Sequence, residues 1–273
     1  NSGELPAYDT LLLTRKERLL TVTLNRPDTL NAVNLEMHEE LAEVFTFAAM
    51  DEGSDVIVLT GAGRAFSAGG DLEHIAHNAA HPELFDNEVR LAKRIVFALL
   101  DLDKPIVCRL NGNAVGLGAT LALLCDVVFA ADSARIGDPH VALGLVAGDG
   151  GAAIWPQLVG MARAKEYLLT GDLLTAAKAE QVGLVNHCVP LHELDAAVEA
   201  FCERLLASSR NAVRWTKVLL NLELKRIAHA VMDAGIAYEA VSQRSADHRE
   251  GVRALQEKRR PNFAKLPSES DKT

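Results

Sequence analysis

The sequence predicts an α/β fold of stacked β-β-α units, completed by a helical C-terminal region. Three patterns point there. Short apolar segments such as DVIVLTGAG (55–63) and PIVCRLNGNAVG (105–116) end in glycine turns, the mark of buried strands. Helical periodicity fills the stretches between them, so strand, turn and helix recur. Beyond about residue 190 the pattern is helical only.

Taken in order, residues 11–13 and 19–24 read as two strands around the charged turn 15–18. A helix is expected over 35–49, with Leu41, Val44, Phe45 and Ala48 on one face. The strand at 55–63 follows, then a helix over about 83–100 and the strand at 105–116. Residues 117–124 read as helix and DVVFAAD (126–132) as a third strand of the same kind. The C-terminal helices are expected over 192–207, 211–224, 227–242 and 247–257. Nothing linker-like separates the halves. A core over 1–190, a helical region over 191–263 packed on it, and a frayed polar tail over 264–273 are therefore expected.

With 49% apolar and 24% charged residues over 273 positions, the composition is that of a folded domain able to bury a full core. The net charge of −9 argues against a nucleic-acid partner, which needs a basic face. No apolar run is long enough for a membrane span, and residues 1–10 carry no secretory pattern, so a cytoplasmic protein is expected. Cys108, Cys125, Cys188 and Cys202 sit scattered in apolar contexts and read as reduced, buried thiols. His74, His77 and His81 have helical spacing, which reads as a solvated polar face rather than a metal site. Lys217, Lys225, Lys258, Arg259 and Arg260 read as solvated, with one or two available to a ligand phosphate.

Two glycine turns carry the first functional signal. RAFSAGGDL (64–72) and NAVGLGATLALL (113–124) each follow a strand. Small residues there let a ligand approach the backbone, and helix starts offer unpaired N–H groups. Two such turns could aim two donors at one carbonyl oxygen. The second signal is IGDPHVALGLVAGDGG (136–151), which places His140 and Asp149 in an apolar, glycine-rich run. His140 reads either as a core histidine or as an acid–base group, and Asp149 either as a turn-former or as its partner.

Six segments, in order, make the chain resemble the crotonase (enoyl-CoA hydratase/isomerase) superfamily: 21–34, 56–72, 104–118, 125–139, 167–190 and 247–263. The resemblance implies a crotonase-like spiral of β-β-α repeats whose helical C-terminal region serves trimerisation, giving a homotrimer or dimer of trimers. It implies an acyl-CoA thioester substrate, with coenzyme A present as part of the substrate and no permanently bound cofactor or metal. Carried over by position, the N–H groups of Gly70 and Leu117 would form the oxyanion hole. Ala65, Ala68, Asp71 and Leu72 would border the CoA, and Gly116 and Thr120 would lie with the substrate.

Two positions depart from the family pattern. Where family hydratases carry two catalytic glutamates, this chain has Thr120 and His140. Threonine cannot titrate, and one histidine cannot repeat a two-carboxylate arrangement. The His140/Asp149 pair, with Glu239 as an acidic helper, is similar to that of the oxocamphor hydrolases, a branch that cleaves C–C bonds in β-diketones. On that likeness Asp149 would accept the Nδ1–H of His140, leaving Nε2 as base. The glycine turn 116–118 and Val33 stand where that branch has a histidine and a tryptophan, so the carbonyl site resembles the CoA type. Three functions follow: an enoyl-CoA hydratase-like lyase or isomerase, a C–C bond hydrolase, and an inactive acyl-CoA-binding relative.

Overall fold

A computed structural model describes residues 4–265. The tail expected over 264–273 lies outside the described residues beyond Lys265. Strands β1 (Leu11–Lys16) and β2 (Leu19–Leu24) form an antiparallel hairpin. Helix α1 (Leu35–Met50) follows, capped by the Asn34 side chain, which accepts from the Met37 N–H. Strand β3 (Val56–Gly61) is buried along its whole length, as a parallel strand covered on both faces must be. Then come α2 (Leu72–Ala80), α3 (Pro82–Asp101), β4 (Ile106–Leu110), β5 (Ala114–Val115) and α4 (Leu117–Leu123).

The second half begins with β6 (Val127–Ala131) and β7 (Arg135–Gly137), followed by a 3-10 turn at His140–Leu143. Helices α5 (Gly151–Val159) and α6 (Met161–Thr170) precede β8 (Leu174–Thr175), α7 (Ala176–Val182) and β9 (His187–Val189). The chain closes with α8 (Leu194–Leu206), α9 (Arg210–Gln243) and α10 (Ala246–Gln256).

The main sheet runs β1-β2-β3-β4-β6-β9, parallel from β2 onward, and a smaller sheet runs β5-β7-β8. The segment expected as one strand at 105–116 is thus divided between two sheets. Gly112 makes the corner, since a Cβ there would meet the Arg64 carbonyl oxygen at 2.2 Å.

The two helices expected over 211–224 and 227–242 are one helix, α9. Lys225 and Arg226 do not break it because each is paired along its course. Arg226 meets Glu223 at 2.6 Å and Lys225 meets Asp101 at 2.6 Å. Helix α9 lies against α3 and α5, which carries its residue Glu239 back to the core.

Among the cysteines, Cys108, Cys125 and Cys202 are buried free thiols, while Cys188 is only half-buried.

Candidate active site

The two glycine turns are stitched together. The Val115 N–H donates to the Ser67 carbonyl at 3.0 Å, and Ser67 bridges to Ala114. Gly69 has φ +87°, and a Cβ there would lie 2.8 Å from the Val115 carbonyl oxygen. Only glycine meets both demands. Gly116 has φ +54°, with the His140 ring edge 3.6 Å from where its Cβ would be.

Gly70 and Leu117, one from each turn, line a shared cavity of about 330 Å³. Leu117 is the first residue of α4, where the helix leaves its N–H without an internal partner. The Gly70 N–H also has no acceptor among the described residues, since the bridge to Val33 uses the Gly69 carbonyl and the Asp71 N–H instead.

Ala68, Leu72 and Gly116 share this wall. Ala65 lies behind it, its carbonyl held by the Asn31 and Asn111 side chains. Asp71 caps α2 and pairs with Arg26 at 3.0 Å. Thr120 is buried beneath the floor, and its methyl group lies 2.7 Å from where a Cβ on Gly150 would sit.

His140 stands on the same cavity as the two glycine turns, beside Gly116. The Nδ1 atom contacts Asp138 Oδ1, not Asp149, which corrects the expected pairing. Asp138 immediately precedes Pro139, whose turn folds the His140 backbone N–H to 3.4 Å from the same oxygen. Asp138 is 1% exposed and lies behind the cavity wall. Nε2 therefore faces the cavity, 3.6 Å from Asp149 Oδ2 and 4.0 Å from Glu239 Oε1. Both separations exceed a hydrogen bond, so this ring nitrogen is available to a ligand.

Gly148 makes the third contact possible. A Cβ on it would meet the Gly235 carbonyl at 2.3 Å and Glu239 Oε2 at 2.8 Å, so α9 can deliver Glu239 only over glycine.

Three carboxylates around one imidazole set its charge. Burial opposes protonation of His140, but the charges of Asp138, Asp149 and Glu239 together outweigh it and hold the ring well above its usual 6.5. Burial raises the Asp149 carboxyl, with the His140 charge pulling the other way. Burial, reinforced by the Asp149 charge, pushes Glu239 up to about 8. These surroundings favour the protonated form of both His140 and Glu239.

Asp138, His140 and Asp149 place donor atoms within 4.8 Å of one another, close enough for a cation. Asp138 Oδ1 already contacts His140 Nδ1, so a cation bound there would have to displace that contact.

A stability consequence follows. Glu239 binds its proton more tightly folded than unfolded, so its contribution is complete below about pH 4.5 and is lost as pH rises through about 8. His140 acts with the same sign at higher pH, because its folded value is also raised. Urea midpoints should fall between those limits. Glu239→Gln should flatten that fall, with a ceiling of about 5 kcal/mol for a shift of this size. An unchanged slope in the variant would contradict the assignment.

Other expectations need correction. His74 is not on a solvated face: Nε2 lies 2.8 Å from Glu88, and both residues line the cavity. Lys217 is buried, bound to Asp126 at 2.8 Å and to the Lys104 carbonyl at 2.8 Å, so it cannot meet a phosphate. Lys225 is half-buried against Asp101, whereas Arg259 is exposed as expected, though paired with Glu250.

A spiral of β-β-α units with two facing glycine turns defines a crotonase-fold enzyme. The sequence profile of the enoyl-CoA hydratase/isomerase family matches residues 14–266, and the chain belongs to that family. It is 36% identical to a 1,2-epoxyphenylacetyl-CoA isomerase of Escherichia coli, over 90% of this chain and 94% of that protein. It is 32% identical to a crotonyl-CoA hydratase of Syntrophomonas wolfei, covering 94% and 98%. An enoyl-CoA hydratase/isomerase from Mycobacterium paratuberculosis superposes with a TM-score of 0.87 at 38% identity, covering 91% of this chain and all of that one.

Proposed function

We propose that this protein catalyses proton transfer on the acyl group of a CoA thioester through an enolate, with His140 as the group that moves the proton. The observation that carries this is the position of Nε2, turned into the cavity that Gly70 and Leu117 line. The thioester oxygen would accept from the Gly70 and Leu117 N–H groups. Removal of a proton beside the carbonyl sends charge to that oxygen, where two fixed donors stabilise it most in the transition state.

Asp138 holds the imidazole by Nδ1, so Nε2 alone exchanges protons with the ligand. Returned to the same carbon, the proton is exchanged; returned two carbons along, it shifts the double bond. Protonated Glu239 and the Asp149 carboxyl flank Nε2 and can hold a water for addition. Thr120 and His140 replace the hydratase glutamates by position, and neither supplies that pair of carboxylates.

The C–C bond hydrolase reading rests on the same His140 set and differs in its ligand. The two separate on heating. Crotonyl-CoA should raise the melting temperature and be turned over, because ligand binding to the folded state stabilises it. Stabilisation and cleavage confined to free β-diketones would overturn the CoA reading.

We also propose an assembly built on a trimer. Trp215, Leu219 and Leu220 on α9 are 65%, 68% and 72% exposed, an apolar surface that a lone subunit would leave in water. Sedimentation at micromolar concentration should show a species about three or six times the chain mass. A clean 29.4 kDa species would contradict it.

A further inference from the structure

The cavity holds a second imidazole pinned by a carboxylate. His74 on α2 and Glu88 on α3 both line it, with Nε2 2.8 Å from Glu88 Oε1. Asn78 Nδ2 donates to the same oxygen at 2.7 Å. A carboxylate accepts, so Nε2 carries the hydrogen of that contact and Nδ1 is the nitrogen left for a ligand. Nδ1 has no hydrogen-bond partner among the described residues, and it is not sealed off, since the side chain keeps 18% of its surface.

The arrangement parallels the one at His140. There Asp138 holds Nδ1 and leaves Nε2 to the ligand; here Glu88 holds Nε2 and leaves Nδ1. Around His74 and Glu88 the same helices add Ile75, Phe85 and Ala92, an apolar lining suited to an acyl chain. The Glu88 hydrogen bond outweighs burial and holds the His74 imidazole above its usual range, which favours the form that can give a proton.

His140 is poorly placed to serve both ends of a double-bond shift. Asp138 Oδ1 contacts its Nδ1 and lies 3.4 Å from its backbone N–H, so the ring presents Nε2 to one place. The shift removes a proton beside the carbonyl and needs one delivered two carbons further on. A second, separately fixed carrier meets that need.

Resting on the acyl-CoA reading above, we propose that His74 is a second catalytic residue, giving a proton from Nδ1 to the fourth carbon of a 3-enoyl thioester. His140 Nε2 takes a proton from the second carbon, and the electron pair of that C–H bond moves toward the thioester oxygen. The pair then returns to form the double bond between the second and third carbons. The former double-bond pair takes the His74 proton at the fourth carbon. His140 gains one proton, His74 loses one, and exchange with water resets both. Glu88 positions the donor, and Asn78 holds Glu88.

Two measurements on the intact protein test this. The first needs no variant. 3-Hexenoyl-CoA with two deuterium atoms on its second carbon, incubated in ordinary water, should give 2-hexenoyl-CoA with solvent hydrogen at the fourth carbon. Deuterium carried from the second carbon to the fourth shows one group serving both and overturns the proposal.

The second measurement compares two reactions. His74→Gln keeps a polar side chain that cannot carry a proton. Its loss should fall about 10²-fold more heavily on the shift of 3-hexenoyl-CoA than on deuterium exchange beside the carbonyl of hexanoyl-CoA. Glu88→Gln should show the same bias to a smaller degree, because the imidazole remains. Equal losses in the two reactions, or a parental shift rate in His74→Gln, overturn the proposal. A parent that exchanges but never shifts the bond also overturns it and leaves the acyl-CoA reading standing. A parent that binds neither thioester overturns both. The labelled substrate decides the matter if neither variant folds.

Discussion

His140→Ala is expected to lower turnover by a factor on the order of 10² to 10⁴, with acyl-CoA affinity nearly unchanged. The His140 ring lies 3.6 Å from where a Cβ on Gly116 would sit, and truncating it to alanine removes no backbone N–H from the proposed thioester site. The pH profile carries the sharper signature. As a base, His140 must first lose a proton that Asp138, Asp149 and Glu239 help retain, so activity should rise only above the ordinary histidine range. That limb should disappear in the variant. Asp138→Asn keeps the imidazole but loses the carboxylate on Nδ1, so it should also cost activity and move the limb downward. The two losses should not add, because the residues work as one unit. Parent-like turnover in His140→Ala would make it a core histidine.

Leu117→Pro is expected to cost about 10² to 10³ in turnover, the range for removing one oxyanion donor. The backbone tolerates the change. Position 117 opens α4, where proline's missing N–H breaks no helical bond. The Gly116 ψ of −124° lies outside the region that a following proline disfavours. The leucine side chain is itself 5% exposed, so part of any loss would come from packing. Leu117→Ala is therefore the control: it truncates the side chain and keeps the N–H. The proline variant should fall well below the alanine variant in turnover when both are folded. Equal activity would remove Leu117 from the oxyanion hole.

The parts of this fold legible in the sequence are those that local physics decides. The β3 segment and the α1 stripe of Leu41, Val44, Phe45 and Ala48 appear where apolar patterning places them. The division of 105–116 between two sheets was not legible, because a corner is set by the close approach of Gly112 to the Arg64 backbone. Nor was the continuity of α9, which rests partly on a partner, Asp101, distant in sequence.

The site divides the same way. Residues on the cavity wall, His140, Asp149 and Glu239, were nameable from the chain, but which carboxylate meets which nitrogen was not. Asp138 stands in GDPH, two residues before the histidine, and only the proline turn that folds the pair together distinguishes it from an ordinary turn aspartate. The His74 spacing suggested a polar face. What turned it inward is Glu88, on a different helix.

The central claim is that His140 moves a proton on a thioester held at Gly70 and Leu117. Deuterium entry into the carbon beside the carbonyl of butyryl-CoA, followed by NMR in heavy water, tests it without assuming hydration or isomerisation. The parent should wash in deuterium well above the buffer rate. His140→Ala should bind the thioester and exchange it no faster than buffer. Exchange at the parental rate in the bound variant would contradict the account.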